Sequence, residues 1–266
     1  MGELIKFDLK MNIAAIWALA KREIKEFWRN KTRVISSFAQ SLMFLIIFSA
    51  GFAFISIRIA GISVDPRAFI ASGILAITIL FSGIFGGLGL MRDKMFGFMK
   101  ELIVTPVNRR ILMFGRTLGI SLHCVIQTMI VLFMCIIFGF FGYNLDLIWR
   151  SLLIIPVTML VSLGIVGLGL TISTRMKDFQ SFGLIQTFIV MPMFWLSGAM
   201  FALSNVPFFM QVAMMLNPYS YSVDLFRAVL LGVSFFPIWL DLLVTSSFGI
   251  IFILVGARSF KKMELS

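Results

Sequence analysis

The sequence predicts an all-α integral membrane protein with six transmembrane helices, and three observations support this fold class. Of its 266 residues, 60% are hydrophobic and only 13% are charged, whereas soluble domains are about half apolar and about a quarter charged. The apolar residues form long runs along the whole chain, and most Lys and Arg residues lie between these runs. We therefore expect a single membrane domain over residues 1–266, with no appended soluble domain.

Six segments are long and apolar enough to cross a bilayer, which takes about 20 residues of helix. They are residues 34–57, 68–91, 118–142, 152–172, 182–203 and 238–257. Of the 23 Lys and Arg residues, 19 fall in the N-terminal segment, the second and fourth connections and the C-terminal tail. Because cations are enriched in cytoplasmic connections, we expect both chain termini in the cytoplasm.

Two further segments are expected to be helical without crossing the bilayer. In residues 12–30 apolar side chains recur at helical spacing, with four cations off that stripe, which favours a cytoplasmic interface helix within residues 1–33. Docking on the protein is the alternative. Residues 204–237 are too apolar for a water-exposed loop and are divided by Asn217 and Pro218. We expect two short re-entrant helices there, as backbone inside a membrane must be covered by protein or line a cavity.

Small and polar residues inside the predicted spans indicate close packing. Gly83 and Gly87 form a G-x-x-x-G pair in the second span, and glycines recur in the fourth span. His123, with Gln127 one turn later, is expected to contact a neighbouring helix, and contact with a substrate is the alternative. Pro192 is expected to kink or locally unwind the fifth span.

The residue patterns of several function classes are missing from the sequence. There is no phosphate-binding G-x-x-x-x-G-K-[ST] motif, only one histidine, and no acidic residue in the middle of a predicted span. No nucleophile has an activating base near it in sequence. We expect no catalytic residues, no metal or cofactor bound by this chain, and no nucleic-acid partner despite the net charge of +11. A membrane enzyme and a channel or scaffold stay open as rival functions.

The second connection, residues 92–117, has the pattern of a docking segment. Gly97 opens a short helical stretch that Thr105 and Pro106 end, and Asn108 is placed to cap the next helix. A short charged helix with exposed apolar side chains fits a groove on a partner, and a solvated loop is the alternative.

Two motifs resemble the signatures of ABC-2 type transporter permeases. Residues 97–109 read G-F-M-K-E-L-I-V-T-P-V-N-R and are similar to the family segment G-x-x-K-E-L-L-x-S-P-V-x-R, with Thr105 in the serine position. Residues 196–227 run from Leu-Ser-Gly-Ala-Met-Phe to Asn-Pro-x-Ser-Tyr-x-Val-Asp-x-x-Arg and resemble the second family signature. This second pattern looks closer to the drug- and nodulation-type exporters than to exporters of lipid-linked polysaccharides.

The resemblance implies a permease subunit of an ATP-binding cassette exporter. Such a chain would form a homodimer in a plasma (inner) membrane, of prokaryotic type, and would pair with two copies of a cytoplasmic ATPase that carry ATP and Mg. It would move an amphipathic or hydrophobic substrate out of the cytoplasm or inner leaflet by alternating access. A lipid-linked polysaccharide is the alternative substrate.

The resemblance also assigns three groups of site residues. The ATPase-coupling group is Gly97, Phe98, Lys100, Glu101, Leu102, Thr105, Pro106 and Arg109. The extracellular gate group is Pro207, Asn217, Pro218, Tyr221, Asp224 and Arg227. The substrate pathway, at the dimer interface between spans two and five, would be lined by Phe81, Phe85, Phe194 and Trp195. Contact of these aromatic residues with lipid or the protein core is the alternative. Asp224 and Arg227, three residues apart on one helix, are expected to pair and anchor the gate.

Overall fold

The computed structural model describes residues 9–52, 57–59, 61–96, 108–142, 146–176 and 178–261. The helices are α1 (Leu9–Arg29), α2 (Lys31–Phe52), α3 (Pro66–Met95), α4 (Arg109–Ile137), α5 (Asp146–Arg175), α6 (Phe179–Ile185), α7 (Met191–Trp195), α8 (Phe208–Leu216), α9 (Pro218–Leu231) and α10 (Ile238–Lys261). A π-helical turn, Gln186–Val190, joins α6 to α7, and a 3-10 turn, Leu203–Asn205, precedes α8. Two short strands, β1 (Ile57–Ile59) and β2 (Ile62–Val64), pair antiparallel between α2 and α3 with Ile57 opposite Val64.

Five helices of the described part are long and apolar enough to cross a membrane. They are α2 over residues 34–51, α3, α4, α5, and α10 over Ile238–Phe260, and they correspond to five of the six predicted spans. The first predicted span was too long, because α2 ends at Phe52 and Ile57 belongs to β1. Helix α4 starts at Arg109, well before the predicted start of the third span at residue 118.

The fifth predicted span, residues 182–203, is wrong in its second half. The apolar helix there runs over Phe179–Trp195, and the chain leaves the helix at Leu196. Pro192 has no amide hydrogen to donate and crowds the preceding turn, so it is accommodated in the first turn of α7 directly after the π-helical turn. Gly198, with φ of 71°, then turns the backbone away. The predicted local unwinding near Pro192 is therefore confirmed.

Helix α3 is the centre of the bundle. Of its apolar stretch, 94% is buried within the protein, against 18% for α2 and 17% for α10. A helix that is apolar on all sides is typical of such a central position. The largely exposed α2 and α10 therefore present their apolar surface to lipid or to another protein.

Glycines let α3 and α5 approach closely, as the G-x-x-x-G pair predicted. A Cβ added at Gly87 would lie 2.5 Å from the Gly169 carbonyl oxygen, and one added at Gly83 would lie 2.8 Å from Cγ2 of Ile165. Real Cβ atoms do not approach backbone this closely, so a larger residue at Gly87 has to push the two helices apart.

We expect Gly87→Ala to lower the free energy of unfolding by about 1–3 kcal/mol, the usual cost of overpacking a tight core. The measurement is the unfolding midpoint in a titration with denaturing detergent. Gly51→Ala is the matched control, because an added Cβ there has no atom within 4 Å and alanine favours helix over glycine by about 1 kcal/mol. Equal midpoints for the two variants would contradict the packing argument.

Helix α1 lies directly on α4. A Cβ added at Gly119 would lie 2.7 Å from the Ala20 Cα, so the two backbones are in close contact. The structure thus shows α1 docked on the protein, which was the alternative interpretation of residues 12–30. On its other side α1 leaves Trp17 63% exposed and Trp28 50% exposed, as a helix at a membrane interface would.

Candidate functional site

An ion network holds α1 to the end of the molecule at which α3 finishes and α4 starts. The Arg116 Nε of α4 lies 3.0 Å from Glu23 Oε1 of α1, and Arg116 Nη2 lies 2.9 Å from Asp93 Oδ2 of α3. Arg22 Nη2 donates to both carboxylate oxygens of Asp93 at 3.0 Å. The Arg116 side chain is only 4% exposed, so its charge is neutralised inside the protein.

A fourth ion pair, Arg92 with Glu26, extends this network toward solvent. Burial raises the pKa of Glu23 above its ordinary value, and the Arg116 guanidinium opposes that shift. Sequence reasoning missed the network because it counted Arg92 and Arg116 only as flanking cations. The available signal was the acidic residues Glu23 and Glu26, three positions apart in a strongly basic helix.

Two members of the network, Asp93 and Arg116, lie in the helices that flank the predicted coupling segment in sequence. Asn108 caps α4 as predicted, with its Oδ1 accepting from the Arg110 amide at 3.0 Å. Arg109 is the first residue of α4. The other predicted coupling residues, Gly97, Phe98, Lys100, Glu101, Leu102, Thr105 and Pro106, lie outside the described residues.

The four predicted pathway residues belong to one aromatic cluster. Ring centroids are 6.3 Å apart for Phe81 and Phe85, 5.8 Å for Phe81 and Phe194, and 4.7 Å for Phe194 and Trp195. Phe44 of α2 stacks on Phe194 at 6.3 Å and was missed by sequence reasoning. The cluster therefore joins α2, α3 and α7.

Phe81 and Phe85 also line a cavity of about 600 Å³ among α1, α2, α3, α4 and α6. This volume is in the range of small-molecule sites in proteins. Its polar wall includes Gln127, whose Oε1 accepts from Ser82 Oγ at 2.7 Å. The His123 ring lies 3.7 Å from that of Phe27, so the predicted contact with a neighbouring helix is observed on the cavity wall.

The predicted gate residues hold α8, α9 and their flanking loops together. Asn217 caps α9 through the Tyr219 amide and donates from Nδ2 to the Met193 carbonyl of α7 at 2.8 Å. Pro218 is the first residue of α9, and Pro207 immediately precedes α8. Tyr221 donates from its hydroxyl to the Met215 carbonyl at 2.9 Å. These contacts fix the junction within the α8–α9 unit (residues 208–231) and tie it to α7.

Asp224 and Arg227 do not form the predicted ion pair. Asp224 Oδ2 instead accepts from the Phe235 and Phe236 amides at 2.8 and 2.9 Å. Arg227 Nη2 donates to the carbonyls of Gly198 and Ala199, and its guanidinium carbon lies 3.8 Å from the Phe69 ring centroid. Each side chain therefore anchors a different loop, because backbone donors and acceptors that the fold buries there need partners.

Burial dominates the electrostatics of this pair of residues. It lowers the pKa of Arg227 to about 10, an effect that Asp224 partly offsets. It raises the pKa of Asp224, against the lowering effects of the Phe236 amide and Arg227. Sequence reasoning also missed Tyr219, which is 1% exposed and donates to the Ala76 carbonyl of α3.

No group of three or more His, Cys, Asp or Glu residues in the described part of the chain is arranged to hold a metal ion. The arrangement is that of a membrane bundle with a polar-aromatic cavity, a buried ion network at one end and an anchored helical unit, α8–α9.

Comparisons with known proteins agree with this description. Residues 14–231 match the ABC-2 type transporter family. The chain is 27% identical to the ycf38 transport permease of Cyanophora paradoxa over 94% of this chain and 89% of that protein. It is 25% identical to nodulation protein J of Rhizobium leguminosarum bv. trifolii over 75% of this chain and 74% of that protein. It is also 25% identical to the inner membrane transport permease YadH of Escherichia coli over 60% of this chain and 58% of that protein. The chain is a multi-pass membrane permease that belongs to the ABC-2 type transporter family.

Proposed function

We propose that this chain is the membrane subunit of an ATP-driven exporter and that a separate cytoplasmic cassette ATPase hydrolyses the nucleotide. The observation that carries the proposal is the position of the family segment at residues 97–109. In the sequence it joins α3, which carries Asp93, to α4, which carries Arg116, and both of these side chains belong to the buried ion network with Glu23. A displacement of this segment by a partner would therefore move α1, α3 and α4 together.

The proposed topology has six spans and both termini in the cytoplasm of a prokaryotic plasma (inner) membrane. The fifth span is α6 to α7, which at 1.5 Å per residue covers roughly 25 Å, less than the roughly 30 Å of a bilayer core. The α8–α9 unit returns from its outer end and would complete the outer layer as an extracellular gate. The distribution of Lys and Arg supports this orientation.

The proposed assembly is a homodimer of this chain with two ATPases. The substrate pathway would follow the aromatic cluster of Phe81, Phe85, Phe194 and Trp195, and binding and hydrolysis of ATP would bias the dimer between inward- and outward-open arrangements. The aromatic walls and polar patches of the cavity suit an amphipathic or hydrophobic substrate. The match to nodulation protein J favours the drug- and nodulation-type branch over export of a lipid-linked polysaccharide.

The test is co-purification in mild detergent followed by an assay of ATP hydrolysis. A cassette ATPase should purify with the tagged wild-type chain. The double variant Glu101→Ala/Pro106→Ala should lose the partner or lower the rate of hydrolysis at least tenfold, because both substitutions fall in the docking segment.

Asp146→Ala/Pro237→Ala is the matched control. It also removes one acidic residue and one proline, both exposed and both outside the docking segment, and should purify with the ATPase as wild type does. Equal behaviour of the two double variants would refute the coupling role. Absence of any ATPase from the wild-type preparation, with ion conductance by the chain alone, would support the channel reading instead.

A further inference from the structure

A basic cleft lies beside the polar-aromatic cavity. The cleft has a volume of about 980 Å³ between the second half of α1, the start of α2 and the end of α3. Asn30 and Arg92 line both the cleft and the 600 Å³ cavity. The two spaces therefore adjoin, one lined mostly by cations and the other by aromatic and small polar side chains.

Four of the cations in the cleft are not neutralised by the described residues. Arg22 is paired with Asp93, and Arg92 is paired with Glu26. No ion pair within the described part of the chain engages the others, which are Lys21, Lys25, Arg29 and Lys31. All four are exposed, so an anion can reach them.

We infer that the cleft and the cavity together bind an amphipathic molecule with an anionic, phosphate-like headgroup. The headgroup would lie on Lys25 and Arg29, which are one helical turn apart on α1 and would donate charge-assisted hydrogen bonds to it. The apolar part would lie beside Phe81, Phe85 and Phe44 in the cavity. The inference deepens the proposed function by naming a substrate class, while binding itself does not depend on an ATPase.

The cavity is what separates this site from a basic helix that rests on an anionic membrane. Surface attraction alone is worth about 1 kcal/mol per cation and has no preference for one position over another. In a specific binding site the headgroup and the tail both contribute to binding. Filling the cavity should therefore weaken binding even though no charge has changed.

The experiment titrates the purified chain, in an uncharged detergent, with 1-oleoyl-lysophosphatidic acid and follows the bound fraction by native mass spectrometry. Monooleoylglycerol has the same chain without the phosphate, and inorganic phosphate has the charge without the chain. We expect lysophosphatidic acid to bind at least tenfold more tightly than either of these probes.

Two variants separate the parts of the site. Lys25→Gln/Arg29→Gln should weaken binding of lysophosphatidic acid about tenfold or more and leave monooleoylglycerol unaffected. Gln40→Trp should fill the cavity and weaken binding of both probes, as Gln40 is half-buried on its wall.

Each variant has a matched control. Arg175→Gln/Arg258→Gln removes two exposed cations away from the cleft, and Ala39→Trp places an indole on the exposed side of α2 beside Gln40. Neither should change binding. The site is refuted if either control weakens binding as much as its partner variant, or if the three probes bind equally.

The source of the ligand is distinguished in nanodiscs that contain the chain and its ATPase. In phosphatidylcholine nanodiscs, stimulation of ATP hydrolysis by lysophosphatidic acid would identify a transported molecule. Stimulation by phosphatidylglycerol as a bulk lipid, without an effect of lysophosphatidic acid, would identify a resident membrane lipid. If the chain binds lysophosphatidic acid but no ATPase purifies with it, the site is upheld and the proposed exporter is refuted. If an ATPase is coupled to the chain but the chain does not bind lysophosphatidic acid, the exporter is upheld and the site is refuted.

Discussion

Replacing Arg116 with methionine should lower the free energy of unfolding by about 3–5 kcal/mol, the usual cost of removing one member of a buried ion pair. The variant leaves Glu23, whose side chain is 10% exposed, facing Asp93 without the guanidinium that joins them. The measurement is the unfolding midpoint in a detergent titration at neutral pH.

The loss in Arg116→Met should depend on pH in a defined direction. Burial already raises the pKa of Glu23, and removing Arg116 raises it further, so the folded variant favours the protonated carboxyl. A group with a raised folded-state pKa gives relative stability at low pH that is lost as pH rises. The deficit should therefore be larger at pH 8 than at pH 5.

Two further variants test this explanation. Arg116→Met/Glu23→Gln should recover part of the lost stability and lose the pH dependence, since no unpaired carboxylate is left at position 23. Arg110→Met removes an exposed cation of the same helix and should change stability by no more than about 0.5 kcal/mol. If Arg116→Met and Arg110→Met have the same unfolding midpoint, the ion network does not contribute to the stability of the fold.

Replacing Arg227 with methionine should release the loop between α7 and α8. The substitution leaves the Gly198 and Ala199 carbonyls without their donor and removes the contact with Phe69. Hydrogen bonds from a charged group contribute about 1.5–3 kcal/mol each, so we expect a loss of about 3 kcal/mol or more. Hydrogen exchange should show backbone amides of residues 197–205 exchanging at least tenfold faster, with the centre of α3 unchanged.

In Arg227→Lys the loop amides should exchange at a rate between those of wild type and Arg227→Met. An ammonium group keeps the charge but lacks the planar fork of the guanidinium. Arg67→Met is the matched control, since it removes an exposed cation near the start of α3, and it should not alter exchange in the loop. If the backbone amides of the loop exchange at the same rate in Arg227→Met as in wild type, Arg227 does not anchor the loop. The proposed role of Arg227 in a gate is then refuted as well.

The features that the sequence predicted correctly depend on windows of about 20 residues or fewer. Hydropathy located α2, α3, α4, α5 and α10, because each contains a continuous run of apolar residues long enough to cross a bilayer. Local caps were also predictable. Asn217 and Pro218 start α9, because an asparagine side chain can accept from an unpaired amide of the first turn and proline has no amide hydrogen to leave unpaired there.

The tertiary structure alone decided which polar side chains meet. Arg227 and Asp224 are close in sequence, yet each has its partners elsewhere, because buried carbonyls and amides of two different loops need donors and acceptors. The hydroxyl of Tyr219 meets the Ala76 carbonyl across 143 residues of chain. No local pattern encodes such a pairing.

By itself, the sequence determined the membrane class, the long helices and their caps, because hydropathy, helical period and cap chemistry are local properties. Only the tertiary structure decided the early end of the apolar helix at Trp195, the ion network around Arg116 and the cavity beside the basic cleft. Each of these depends on how separate helices fit together, and the packing of α1 and α3 against their neighbours sets that fit.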